Sequence, residues 1–109
     1  MEEQFVPYEL ALKLKELGFK EDCFRYYNVH GELGNSFNLS TTVAPLWQQA
    51  FDWFREKHNI YFTVDYGIDF IDNSKYWVFD KGYPNNTKYK TYEEARLECL
   101  KELIKRIEL

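Results

Sequence analysis

A chain of 109 residues, 45% hydrophobic and 19% aromatic, has the size of one domain and enough apolar side chains for its own core. The formal net charge of −4 argues against a general nucleic-acid scaffold. No run approaches the ~20 apolar residues of a membrane span, and the acidic start at Glu2 and Glu3 lacks the basic region of a secretion signal, so a cytoplasmic protein is expected.

Pro7 suits the first turn of a helix, where its fixed φ is helical and its missing amide costs nothing. Leu10, Ala11, Leu14 and Leu17 then fall on one face, and Gly18 supplies a left-handed stop. After Phe19 the period changes to two. Phe24, Tyr26 and Asn28 alternate with Arg25 and Tyr27, residues 30–35 carry turn chemistry, and Phe37 to Leu39 is expected to return as a second strand.

Pro45 opens a second helix whose Leu46, Trp47, Ala50, Phe51, Trp53 and Phe54 cover a broad apolar arc, with Asn59 as its stop. Ile60, Phe62 and Val64 alternate with Tyr61, Thr63 and Asp65; Gly67 breaks the run and Tyr76 to Phe79 returns. A third helix starts at the capping box Thr91 to Glu94, with Tyr92, Ala95, Cys99, Leu100, Leu103, Ile104 and Ile107 inward and Glu102 placed to pair with Arg106.

The expected class is α+β, a single domain over residues 1–109 in the order α-β-β-α-β-β-α. Its simplest architecture is an antiparallel sheet of about four strands with helices on one face. The two Pro-led helices, each followed by a hairpin, suggest a tandem αββ repeat. The blocks FVPYELALKLKELGF, PLWQQAFDWFREKH and KTYEEARLECLKELI resemble a family of small uncharacterised proteins of gut bacteria, their prophages and other mobile elements. That resemblance implies a setting, the bacterial cytoplasm in a phage-related or mobile-element context, and no activity, cofactor or catalytic residue.

The residues themselves point to no catalytic, metal or cofactor site, and no small-molecule ligand. Cys23 and Cys99 form no CxxC pair, and His30 and His58 no HxxxH, so neither zinc spacing nor a disulfide framework is indicated. A small enzyme built on a Cys/His site would need Cys23 or Cys99 activated, yet Cys99 lies on an apolar stripe and Cys23 follows Glu21 and Asp22. The aspartates Asp65, Asp69, Asp72 and Asp80 lack the calcium-loop pattern and read as solvated turn acids.

Two binding readings remain. Lys81, Lys88 and Lys90 interleave with Tyr83, Tyr89 and Tyr92, as a single-stranded nucleic-acid site would require, although three lysines beside an acidic hairpin are few. The surplus of rings on the second hairpin favours a protein interface, with a protein partner or a second copy, and Tyr61, Tyr76 and Trp77 are the expected anchors.

Overall fold

The structure, a computed structural model, describes residues 4–60, 64–68, 75–79 and 89–108. Among them the elements are α1 (Tyr8–Glu16), β1 (Arg25–Tyr27), β2 (Leu33–Gly34), β3 (Thr42–Ala44), α2 (Trp47–His58), β4 (Val64–Ile68), β5 (Lys75–Phe79) and α3 (Tyr92–Glu108). The fold is α+β, with three helices and a three-stranded antiparallel sheet.

The helix signals act as their chemistry requires. Pro7 stands one residue before α1, at ψ 151°, and so fixes the entry rather than joining the first turn. At the other end Gly18 takes φ 104°, its amide bonds the Lys15 carbonyl at 3.1 Å and the Phe19 amide bonds Leu14 at 2.9 Å. This is a Schellman closure, completed by burial of both Leu14 and Phe19.

Asn59 ends α2 in the left-handed region, at φ 56°. Leu46 has no acceptor to cap that helix, but its own amide donates to Gln49 Oε1 at 2.9 Å. Thr91 Oγ1 accepts from the Glu94 amide at 3.1 Å and starts α3, while Arg106 and Glu102 pair at 3.9 Å one turn apart.

The strands depart from expectation. Instead of one sheet of about four strands, β2-β1-β3 form one sheet and β4-β5 a second. The first return strand is Leu33–Gly34, not Phe37 to Leu39, because Asn28 closes the turn early. Its Oδ1 accepts the amides of His30 at 2.8 Å and Glu32 at 3.0 Å, and its amide bonds the Glu32 carbonyl. Thr42–Ala44 adds a third strand beside β1, so the first half is αβββ and the described halves do not match as an αββ repeat. In the second hairpin Gly67 does not break the run; it sits within β4, opposite Tyr76 of β5.

Leu10, Ala11 and Leu14 of α1, Trp47, Ala50, Trp53 and Phe54 of α2, and Cys99, Leu100, Leu103 and Ile104 of α3 bury together in one core. Burial of such a stripe on each helix, more than intrinsic propensity, is what stabilises these elements. From β1, Tyr27 enters the core and satisfies its hydroxyl by donating to the Val6 carbonyl at 2.7 Å. No helix among the described residues is long and apolar enough to cross a membrane.

Candidate functional site

The register of the three-stranded sheet separates its two faces. Tyr27 pairs with Thr42 and Leu33, and this face turns inward, with Tyr27, Thr42 and Ala44 buried. Tyr26 pairs with Val43 and Gly34 on the opposite face, where all three are half-buried. Over Tyr26 lies the ring of Phe37, with centroids 5.4 Å apart.

Phe37 and Leu39 come from the loop that joins β2 to β3, and they are 69% and 99% exposed. Their exposure is built by hydrogen bonds. The Asn38 amide donates to Thr41 Oγ1 at 3.1 Å, and that hydroxyl donates back to the Asn38 carbonyl at 2.8 Å. Asn38 Oδ1 accepts the Ser40 amide at 2.8 Å, and the Thr41 amide bonds the Asn38 carbonyl at 3.2 Å. The turn 38–41 is thereby closed on itself, with Leu39 at its tip.

Between this turn and the end of α1 runs a groove of about 400 Å³, floored by Phe19 and Val43 and walled by Phe37 and Leu39. Lys15 and Lys20 stand on its rim. Its size falls within the ~300–1,000 Å³ typical of binding sites.

A second concavity, about 450 Å³, opens where the starts of the three helices meet, lined by Tyr8, Tyr27, Trp47, Glu93 and Arg96 among others. Its side chains are engaged with each other. The Arg96 guanidinium lies 4.3 Å from the Trp47 ring and 5.4 Å from Tyr92, and Tyr8 meets Tyr27 edge-on at 5.4 Å. It acts as a joint between helices.

The residues expected from sequence fare unevenly. Tyr61, Lys81, Tyr83 and Lys88 lie outside the described residues. Tyr76 is placed by its backbone in β5. Trp77 exchanges two 2.8 Å backbone bonds with Tyr89 and packs edge-on against Tyr92 at 5.2 Å, so its half-buried ring ties the second hairpin to α3. Lys90 is exposed, close in sequence to the exposed Glu93 and Glu94.

Neither thiol is poised as a nucleophile. Burial, and then the charges of Asp22 and Glu21, push Cys23 up to about 11, and its Sγ donates to the Glu21 carbonyl at 3.4 Å. Burial, with Glu102 adding to it, pushes Cys99 up to about 12. The His58 ring packs against Trp53 at 4.7 Å, and His30 is exposed in the Asn28 turn. Among the described residues no three His, Cys, Asp or Glu side chains are grouped to hold a metal ion.

No protein-family model, no curated protein and no solved structure matches this chain. The surface that stands out is one that sequence reasoning passed over. Phe37 to Leu39 read as a return strand, and Lys15, Lys20 and Val43 belong to no motif that the sequence analysis singled out.

Proposed function

We propose that the chain is a non-catalytic protein-interaction module of the bacterial cytoplasm, in a prophage or mobile-element context, and that it binds through the outer face of its three-stranded sheet. The observation that supports this most is the fixed exposure of Leu39 and Phe37, at 99% and 69%, beside the half-buried Tyr26 and Val43. Apolar side chains grouped on a surface and held there by a closed turn mark interaction sites, and aromatic residues are the usual anchors of such sites. The helix-start cleft is second to it because its rings and guanidinium already engage one another. In the nucleic-acid reading Lys81 and Lys88 lie outside the described residues, and Lys90 stands close in sequence to the exposed Glu93 and Glu94, whose charge opposes a phosphate backbone.

The test compares the wild-type chain with a Phe37→Ser, Leu39→Ser double variant, each shown to be folded by circular dichroism, as baits in a bacterial lysate. A protein retained by the wild type and lost from the double variant is the expected result. Equal retention by the two, or none by either, together with a mass in solution that stays monomeric at every concentration, would remove the proposal.

A further inference from the structure

We infer that the groove between the end of α1 and the 38–41 turn receives an acidic, apolar segment of a partner protein, in which large aliphatic or aromatic side chains are interspersed with carboxylates. This rests on the reading of that surface as a protein-binding face. Its floor and walls, Phe19, Val43, Phe37 and Leu39, accept apolar side chains and offer little to a polar ligand. The charge on its rim then selects among apolar segments.

Some cations of the described residues are paired and others, Lys57 and Lys105 among them, are not; what sets Lys15 and Lys20 apart is that they line the groove. Lys13 pairs with Glu108 at 3.5 Å, Arg55 with Asp52 at 3.2 Å, Lys101 with Glu98 at 3.5 Å and Arg106 with Glu102 at 3.9 Å. Lys15 and Lys20 have no ion-pair partner among the described residues. Lys15, in the last turn of α1, also offsets the negative end of the helix dipole. Lys20 lies beyond the Schellman turn, where the dipole gives it no such role.

In a chain of net charge −4, Lys15 and Lys20 are the charged side chains among the described residues that line the groove. Glu16, Glu21 and Asp22 occupy the same stretch of sequence but do not line the groove. A segment carrying carboxylates is drawn to this rim and one carrying ammonium groups is repelled, a selection made in encounter rate and register as much as in affinity.

The experiment uses two fluorescent peptides that share one pattern of Leu and Phe, the first with Glu and the second with Lys at the remaining positions, titrated with the full chain and followed by anisotropy. The acidic peptide is expected to bind, to weaken as salt is raised, and to lose about tenfold in affinity with Lys15→Glu, Lys20→Glu, where two attractive pairs become repulsive. Lys15→Arg, Lys20→Arg should restore it, and Leu39→Ser should weaken both peptides. Equal binding of the two peptides, unaffected by charge reversal, would overturn the acidic selection while leaving the protein-binding face intact. No binding of the acidic peptide overturns it as well, whatever the lysate experiment retains. Tighter binding of dodecanoate would assign the groove to a small amphiphile, and a concentration-dependent dimer broken by Leu39→Ser would assign it to a second copy; either replaces the peptide.

Discussion

Leu14 and Leu39 are the same side chain at opposite limits of exposure, 0% and 99%, and truncating each to alanine tests the whole assignment of inside and outside. Leu14 sits at the C3 position of the Schellman closure, with α1 turned to the core, so Leu14→Ala removes buried methyl groups and leaves a cavity lined by well-packed neighbours. Such substitutions cost about 2–5 kcal/mol. Against a total stability of about 5–15 kcal/mol for a domain of this kind, the loss is a large fraction.

Leu39→Ala removes methyl groups that water already reaches, so its cost should stay within about 0.5 kcal/mol. On the scale of roughly 4 °C per kcal/mol for a domain of this length, the first variant should melt about 8–20 °C lower and the second within about 2 °C of wild type. Thermal unfolding followed by circular dichroism, with urea titration to confirm an unchanged m value, reads both. A loss above about 1 kcal/mol for Leu39→Ala would mean that the folded chain covers this side chain, and the groove would then belong to the core.

Tyr27→Phe deletes a buried hydroxyl and its 2.7 Å bond to the Val6 carbonyl, which should lower stability by about 1–3 kcal/mol in urea titration, the upper end applying if Val6 finds no other donor. Gly31 has φ 79°, and an added Cβ would stand 2.9 Å from Tyr8 Cδ2, whereas Gly18, at φ 104°, faces open space. Gly31→Ala should therefore melt lower than Gly18→Ala, and equal melting points would show that the Tyr8 ring yields freely. The thiol of Cys23, held near 11, should react with Ellman's reagent at pH 8 at least about tenfold more slowly than a free thiol, even after the greater nucleophilicity of a high-pKa thiolate is counted. Because burial raises the folded-state value of Cys99 from 9.0 to about 12, the stability it supports is complete below 9.0 and drains away as pH rises toward 12. Cys99→Ala should flatten that alkaline decline in the urea midpoint. Thr41→Ala removes a hydroxyl that bonds Asn38 twice, and should weaken the acidic peptide several-fold while leaving the melting point within about 3 °C.

The helices were legible because each carries both a period and punctuation. Leu10 and Leu14 with Gly18, Trp53 and Phe54 with Asn59, and Thr91 with Leu100 and Leu103 state face and boundary together. The strands of the first half were not, for reasons of length and side-chain chemistry. Thr42–Ala44 is too short to show an alternation, and Pro45 directly after it draws attention to the helix beyond. Leu33 and Gly34 looked like turn residues because glycine is ambiguous, while the bonds that close the turn one step earlier belong to Asn28, whose side chain mimics backbone.

The site was missed by a related route. Phe37-Asn38-Leu39 has the apolar-polar-apolar pattern of a strand, and hydrophobicity by itself is read as burial. What decides otherwise is polar. A flexible loop bearing phenylalanine and leucine would fold them onto the nearest apolar surface, here Val43 and Phe19, and lose its groove. The bonds that close the 38–41 turn, from 2.8 to 3.2 Å, hold Leu39 away from that surface, and the tilted ring contact with Tyr26 holds Phe37. The ordering entropy of the binding face is then met during folding rather than on association, so a partner that buries Leu39 loses less of the hydrophobic transfer energy to ordering this loop. Asn38 and Thr41, which line the groove themselves, also set how much of that energy is realised by closing the turn that holds Leu39.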